Sequence, residues 1–232
     1  MASLDFFKLK TPFTMLIAGG TGSGKTFLVS YMLQHLSDLY DKIPKKIYVC
    51  YSRDQNLYDS FSELTSVPIE FIQGLPQNLV TEPGSLLIID DLQSESALIS
   101  HWFTKSSHHY NTNVIFITQN LFLKHPEFRT ISLNSHYLII FKNPRDMSQI
   151  ANLAKQIKPG HAKFLVDSYR DATYNPHCYL VIDLKQSTPE HLRFRSNIDP
   201  TKGYYYVDKS EYSAFENSFD TKSSNQQHGY LR

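Results

Sequence analysis

Eight consecutive residues near the amino terminus have the types and the spacing of a phosphate-binding loop. They are Gly19, Gly20, Thr21, Gly22, Ser23, Gly24, Lys25 and Thr26, and they match GxxxxGK[ST]. An apolar run precedes them and an apolar-rich segment of helical pattern follows, which is the context that this motif requires. Glycines let backbone N–H groups turn inward around phosphates, and the following helix directs the positive end of its dipole at the same charge. The sequence therefore predicts a nucleotide site; an incidental glycine-rich turn is the alternative.

Lys25 and Thr26 are expected to have separate roles in this loop. In phosphate loops the lysine contacts the β- and γ-phosphates, and the hydroxyl that follows it ligates Mg²⁺. We therefore assign Lys25 to catalysis and to nucleotide binding, and Thr26 to nucleotide and metal binding. Phe27, directly after the loop, completes the set that we expect to bind the nucleotide.

Two adjacent carboxylates end the apolar run Ser-Leu-Leu-Ile-Ile-Asp-Asp at 85–91. The first, Asp90, has the Walker B position, where a carboxylate holds Mg²⁺ directly or through water. The second, Asp91, is the candidate base that polarises the attacking water. An isolated pair of this kind would be read as a helix N-cap or a solvated turn. Its place at the tip of a hydrophobic strand downstream of the phosphate loop favours the metal site.

The next apolar run, Asn113–Thr118, ends in Gln119. An amide at such a strand end can hydrogen-bond both the γ-phosphate and the lytic water, and so report which nucleotide is present. We therefore assign Gln119 to catalysis as a sensor. A simple strand-end cap is the alternative.

Apolar β-rich runs alternate with segments of helical spacing along the chain. Most runs are continuous rather than alternating, which is typical of strands buried on both faces of a mainly parallel sheet. The runs lie at 13–18, 46–51, 68–72, 85–90, 113–118, 137–141 and 178–184, and the predicted helices at 26–35, 95–109, 146–157 and 161–169. This order predicts an α/β fold with helices flanking a central sheet. A strand between the phosphate-loop strand and the Walker B strand would mark the RecA-like, additional-strand class, but sequence order alone does not place the run 113–118 there.

The composition indicates one folded domain with a polar end. The chain has 232 residues, 41% of them hydrophobic, with 23 Lys and Arg against 22 Asp and Glu. This balance argues against a basic nucleic-acid coat protein, although a ring can still gather cations in one channel. We predict a folded P-loop domain over 1–198 and, over 199–232, a polar Tyr/Ser-rich tail that is extended or disordered.

The cysteines and the amino-terminal residues indicate which cellular compartment to expect for the protein. Cys50 and Cys178 lie in apolar runs without a CxxC pair, which predicts two buried thiols in a reducing compartment. No signal-peptide pattern and no apolar stretch of about 20 residues is present, so we expect no membrane partner and no secretion.

Five segments together resemble one family. AGGTGSGKT, LLIIDDL, VIFITQNLF, FRTISLNSHYLIIFKNPRD and LRFRSNI are similar to the FtsK/HerA-superfamily genome-packaging ATPases of eukaryotic double-stranded DNA viruses. That group includes the poxvirus-type packaging ATPase and the ATPases of virophages and Polinton (Maverick) elements, and this chain looks closest to the Polinton and virophage-like members. The resemblance covers about residues 12–198. The phosphate loop is generic, whereas the TQN strand end followed by RTISLN and FKNPRD is much more specific.

The resemblance implies a P-loop NTPase that uses ATP and Mg²⁺. It implies a homo-oligomeric ring, a hexamer or pentamer, that threads double-stranded DNA into a preformed viral capsid at a portal vertex. It places the protein inside the infected host cell, in the virus factory or nucleus, and in association with virions. A cellular-type FtsK/HerA-like translocase or helicase stays open, and so does a nucleotide-dependent capsid-docking protein without sustained translocation, in which the tyrosine-rich tail would matter most.

In such rings an arginine from one subunit completes the nucleotide site of the next, and two arginines match motif positions. Arg129 lies between the sensor strand and the following strand, and Arg145 follows the run 137–141. We assign both to catalysis and rank Arg129 first; a surface ion pair is the alternative for each. Arg53 and the stretch 105–109 are candidate DNA contacts, against the simpler reading of solvated polar segments.

Overall fold

A single sheet forms the centre of the molecule in a computed structural model that describes residues 7–52, 58, 60–121, 126–145, 147–199 and 201–209, with the side chains of 106 and 108 excepted. Nine strands of the described residues pair in the order β3-β2-β4-β5-β1-β6-β7-β8-β9. Their bounds are β1 Thr14–Ala18, β2 Ile47–Tyr51, β3 Ile69–Gln73, β4 Leu86–Asp90, β5 Asn113–Thr118, β6 Tyr137–Phe141, β7 Tyr179–Asp183, β8 Phe194–Arg195 and β9 Tyr205–Tyr206.

Helices connect the strands and cover both faces of the sheet. Their bounds are α1 Lys25–Gln34, α2 Leu36–Leu39, α3 Phe61–Leu64, α4 Ser96–His101, α5 Ser107–His109, α6 Pro126–Leu133, α7 Met147–Ile157 and α8 Ala162–Ala172. The first three pack against one face, and the other face is covered by residues of α4, α6, α7 and α8. None of the helices in the described part of the chain combines the length and the hydropathy needed to cross a bilayer.

The middle position of β5 settles the point that sequence order left open. β5 pairs in parallel with β1 on one side and with β4 on the other. Ala18 is opposite Thr118, and Asp90 is opposite Ile117. Since the carboxyl ends of parallel strands meet at one edge of a sheet, the phosphate loop and the acidic pair emerge side by side. The prediction of a mainly parallel α/β sheet is thereby confirmed.

The continuous apolar runs occupy the centre of the sheet, as predicted. Every residue of β1, β4, β5 and β6 is buried. In β1, Leu16 and Ala18 face one apolar cluster, whereas Met15 and Ile17 face the other. A strand with a helical layer on each face buries every side chain, which explains the absence of polar alternation.

The predicted helix 95–109 is interrupted. A π-helical segment, Trp102–Ser106, separates α4 from α5. Trp102 and Phe103 are both buried, and a regular α-helix would turn two consecutive side chains about 100° apart. The wider π-turn accommodates both aromatic side chains in the core.

The far edge of the sheet is antiparallel and extends into the predicted tail. β7 runs antiparallel to β6, and β8 and β9 continue the antiparallel pairing. β9 lies within the predicted tail, where it pairs with β8, and the hydroxyls of Tyr204 and Tyr206 both donate to Asp171 Oδ2 at 2.7 Å. Those two bonds lower the pKa of Asp171. The predicted tail from 210 onward lies outside the described residues.

The two cysteines differ in burial. Cys50 in β2 is buried, as predicted, and burial raises the pKa of its thiol to about 12. Cys178 is only half-buried, because it lies in the connection that precedes β7. The prediction of two buried thiols therefore holds for Cys50 alone.

The contribution of the buried central strands to stability can be measured by making the same substitution at a buried and at an exposed position. Leu138→Ala in β6 should lower the free energy of unfolding by about 2–5 kcal/mol, because the fully buried side chain leaves a cavity. Leu133→Ala removes the same atoms from a side chain that is 68% exposed, so a change below about 0.5 kcal/mol is expected. Urea unfolding followed by circular dichroism measures both, and equal losses would contradict the burial described above.

Candidate nucleotide-binding site

The loop between β1 and α1 has a backbone that requires glycine at several positions. Gly22 and Gly24 have φ angles of 73° and 105°, in the left-handed region that disfavours a side chain. At Gly19 a Cβ would lie 2.6 Å from Phe141 Cβ and 2.7 Å from Ser23 Oγ, too close for either. Gly24 is the N-cap of α1, and no described side chain caps this helix. The first N–H groups of α1 are therefore left for an anion.

Lys25 lies folded over this loop. Its ammonium donates to the carbonyl oxygens of Gly19 at 2.6 Å and Gly20 at 2.9 Å. Burial lowers the pKa of Lys25, and the carboxylates of Asp90 and Asp91 oppose that shift. The Oγ of Ser23 is buried inside the loop without a hydrogen-bond partner among the described residues. A buried polar atom of this kind fits a loop that binds a charged ligand.

Asp91 accepts hydrogen bonds from two side-chain amides at this edge of the sheet. Its φ of 54° turns the chain out of β4 immediately after Asp90. The amide of Gln119 donates to Asp91 Oδ2 at 3.2 Å, and the amide of Gln93 donates to Asp91 Oδ1 at 3.2 Å. The predicted sensor and the predicted base are therefore in direct contact. Gln93 was not found from the sequence, since no motif marks it.

One cavity brings most of the predicted residues together. It measures about 180 Å³ and is lined by Thr21, Gly22, Lys25, Thr26, Asp90, Asp91, Ile117, Thr118 and Gln119. Thr26 and Asp90 offer a hydroxyl and a carboxylate, the hard oxygen donors that Mg²⁺ prefers. The described residues contain no group of three or more His, Cys, Asp or Glu that could hold a metal ion alone. The donor set fits a magnesium ion that is shared with phosphate oxygens.

The two predicted arginines lie in different places. Arg145 is exposed and lines a cleft of about 700 Å³ that also contacts Gly20 and Gln119, so it is on the nucleotide side of its own chain. Arg129 is exposed on α6 and lines none of these cavities. The structure thus brings Arg145, but not Arg129, to the site of the same chain.

The candidate DNA contacts are only partly covered by the described residues. Arg53 lies outside the described residues, and Lys105 and His109 are exposed at the π-turn and α5. A role for any of them in binding DNA stays a prediction.

A further cavity, with a volume of about 540 Å³, adjoins the loop at Gly24. Phe27, the last residue that we assigned to the nucleotide, is 73% exposed and lines this cavity. The other lining residues are Leu28, Tyr31, Phe141, His177, Tyr179, Asn197 and Lys202. Of these, Tyr31 could have been found from the sequence, because it lies one helical turn after Phe27. Leu28 is adjacent to Phe27 in α1, and the other five come from distant segments.

Two groups of contacts hold the walls of this cavity. His177, at a φ of 62°, places Nδ1 3.2 Å from the carbonyl oxygen of Ser23. Lys202 donates to the Tyr31 hydroxyl at 2.8 Å, and that hydroxyl donates to Asp199 Oδ2 at 2.7 Å. Burial opposes ionisation of Asp199, but hydrogen bonds from Thr201 and Tyr31 lower its pKa to about 2.

Asp90 has a partner that sequence reasoning missed. The hydroxyl of Tyr58 donates to Asp90 Oδ2. Both side chains are buried, at 3% and 4% exposure respectively. Tyr58 follows β2 and belongs to no motif, so its contact with the metal-ligand position depends on the tertiary fold.

Comparison with solved structures finds similar folds at low sequence identity. B204, the genome-packaging NTPase of Sulfolobus turreted icosahedral virus 2, in complex with ATP-gammaS is 16% identical; the match covers 80% of this chain and 96% of that chain, with a TM-score of 0.51. The AMPPCP complex of the same NTPase gives 16% identity, 76% and 95% coverage, and a TM-score of 0.53. The cytoplasmic domain of the type VII secretion ATPase EccC from Thermomonospora curvata gives 12% identity and a TM-score of 0.50, over 76% of this chain and 24% of that chain.

Neither a protein-family model nor a curated protein matches this sequence. The fold is nevertheless clear from the strand order, the phosphate loop at the end of β1 and the solved structures that share it. The chain has the α/β fold of the P-loop NTPases, of the RecA-like class in which an additional strand separates the two nucleotide-binding strands.

Proposed function

We propose that this protein hydrolyses ATP and uses the energy to move double-stranded viral DNA into a preformed capsid. The observation that carries the ATPase part is the cavity in which Lys25, Thr26, Asp90, Asp91 and Gln119 meet. It contains a phosphate loop, two donors for a metal ion, a candidate base and an amide that contacts this base. Each of these parts has a defined role in phosphoryl transfer to water.

The chain's own residues supply most of the chemistry. The loop N–H groups and Lys25 bind the phosphates and counter their charge. Thr26 and Asp90 would hold Mg²⁺, which neutralises charge on the β- and γ-phosphate oxygens when bound. Asp91 orients the attacking water or accepts a proton from it. The side-chain amides of Gln119 and Gln93 hold the Asp91 carboxylate in place for this role. Asp91 is one methylene shorter than a glutamate, and its left-handed backbone sets where the carboxylate lies.

The adjoining cavity would receive the base of the nucleotide. It touches the phosphate loop at Gly24, and Phe27 and Tyr31 provide aromatic walls. Its volume of about 540 Å³ lies in the ordinary range for small-ligand pockets of roughly 300–1,000 Å³. A flat purine base suits aromatic walls, since stacking and burial both favour it.

Two independent findings support the packaging part of the proposal. The segments around Gln119, Arg129 and Arg145 resemble viral packaging ATPases of the poxvirus, virophage and Polinton group. B204, a viral genome-packaging NTPase, is matched over nearly its whole length. Such an enzyme would act as a homo-oligomeric ring at a capsid or portal vertex, within the virus factory or nucleus of the infected cell.

In a ring, Arg129 would act on the nucleotide bound by the neighbouring subunit. Arg129 is exposed and lines neither the cavity around Lys25 nor the adjoining cleft, which suits a residue that reaches the γ-phosphate of a neighbour. Arg145 lines the cleft beside the phosphate loop of its own chain and would contact the nucleotide bound by that chain.

DNA-stimulated ATP hydrolysis tests the proposed function. Asp91→Asn should slow hydrolysis by about 10²-fold or more, because loss of a general base typically has that effect, while ATP binding persists. Lys25→Ala should abolish both hydrolysis and tight ATP binding. Displacement of a DNA triplex by the wild type would report translocation. Turnover that ignores DNA would exclude the motor and favour a nucleotide-dependent capsid-docking protein.

Mixed oligomers test the arginines. Arg129→Ala should lower hydrolysis by about 10³-fold or more with ATP binding retained, as expected for a residue that stabilises the transferring phosphoryl group. Mixing it with Lys25→Ala subunits should restore part of the activity, since each variant supplies what the other lacks. Arg145→Ala should not be rescued in this way, because Arg145 lies on the nucleotide side of its own chain. Unchanged turnover in Arg129→Ala would remove Arg129 from the mechanism.

Separate measurements with ATP and with tripolyphosphate test the base cavity. Phe27→Ala should weaken ATP binding by about 10-fold, from the loss of one aromatic stacking partner, and leave tripolyphosphate binding unchanged. Tyr174→Ala is a suitable control, because Tyr174 is 79% exposed and does not line the cavity. Isothermal titration calorimetry gives all the affinities. Equal losses for the two ligands would place the base elsewhere.

A further inference from the structure

The carboxylate of Asp90 is buried at the end of β4, where its oxygens need hydrogen-bond partners. Its side chain is only 4% exposed, and a buried carboxylate is costly unless such partners satisfy it. Tyr58 supplies one of these bonds by donating its hydroxyl proton to Asp90 Oδ2. Tyr58 and Asp90 are 32 residues apart in the chain, so only the fold brings them together.

Aromatic packing holds the hydroxyl of Tyr58 in this position. The side chain is 3% exposed. Its ring centroid lies 5.5 Å from that of Tyr51, 5.4 Å from that of Phe61 and 6.2 Å from that of Phe71. These three neighbours belong to β2, α3 and β3 respectively. A ring enclosed on three sides keeps its torsion angles, so the direction of the hydroxyl is fixed by the core and not by Asp90 alone.

We propose that Tyr58 is a positioning residue for the magnesium site, and that its hydroxyl fixes the orientation of the Asp90 carboxylate. This inference rests on the proposed function, because it assigns Tyr58 to the metal ion that accompanies ATP. A carboxylate has about four acceptor positions on its two oxygens, so the bond from Tyr58 is compatible with a metal ion on the same group. Partners that orient metal ligands are worth about 10–100-fold in metal affinity or activity.

Asp90 and Thr26, which carry the proposed metal donors, both line one small cavity, so the orientation of each donor matters. The cavity measures about 180 Å³ and must also admit phosphate oxygens. Magnesium requires near-ideal octahedral geometry at about 2.0–2.1 Å. A carboxylate that is free to rotate would meet this requirement only part of the time, whereas one held by Tyr58 meets it without further ordering.

A substitution that removes only the hydroxyl tests the proposal. Tyr58→Phe keeps the aromatic packing, and binding of a fluorescent ATP analogue is then titrated with Mg²⁺ and repeated in EDTA. We expect the Mg²⁺ concentration for half-maximal binding to rise by about 10-fold or more, and the affinity in EDTA to stay unchanged. Tyr51→Phe removes a hydroxyl from the neighbouring ring and should behave like the wild type.

Combination with Asp90→Asn separates positioning from packing. If Tyr58 acts through Asp90, adding Tyr58→Phe to Asp90→Asn should change the Mg²⁺ dependence no further. An additive effect would overturn the proposal, and so would equal losses of affinity with Mg²⁺ and in EDTA. If the wild type binds the analogue in a Mg²⁺-dependent way and Tyr58→Phe shows the same Mg²⁺ dependence, this inference is overturned and the proposed function is left intact. A wild type that binds no nucleotide would overturn both.

Discussion

Two backbone carbonyls at the end of β5 hold the halves of the nucleotide site together. Thr118 O accepts a hydrogen bond from Gly19 N–H, and Ile117 O accepts one from Asp91 N–H, each at 3.2 Å. The phosphate loop and the acidic pair are thereby fixed to the same strand, one on each side. A slip of one residue in the pairing of β5 with β1 or with β4 alone would displace one half of the site relative to the other. The buried, helix-covered centre of the sheet therefore determines the geometry of the site as well as the stability of the fold.

The charges at the site are unbalanced, and this imbalance explains which further groups it needs. One ammonium, that of Lys25, lies near two carboxylates, those of Asp90 and Asp91. A nucleotide triphosphate adds several negative charges to a partly buried space, where they repel strongly unless cations accompany them. A divalent metal ion and an arginine supply such cations. The neighbouring cleft already contains Arg145, and the proposed ring would add Arg129 from the next subunit.

The sequence predicted the elements and residues whose signals are local. Continuous apolar runs located seven strands to within a residue at each end, and motif spacing located Lys25, Asp90 and Asp91 at one edge of the sheet. It could not predict contacts between distant segments. Tyr58 reaches Asp90 from a connection without a motif, and His177 and Lys202 reach the cavity beside Gly24 from beyond β6. β9 was missed for a similar reason, because its polar and tyrosine-rich sequence forms a strand only where β8 and Asp171 provide partners.

The bonds among Tyr31, Asp199 and Lys202 join the helix that begins at the phosphate loop to the segment after β8. Every residue assigned to the phosphates precedes that segment, but Asn197 and Lys202, which line the cavity beside Gly24, belong to it. A fragment ending at 198 would keep every residue assigned to the phosphates and would lose Lys202 from the lining of the cavity beside Gly24. In the proposed site, nucleoside recognition would therefore draw on both ends of the described chain, on α1 through Phe27 and Tyr31 and on the segment after β8 through Lys202.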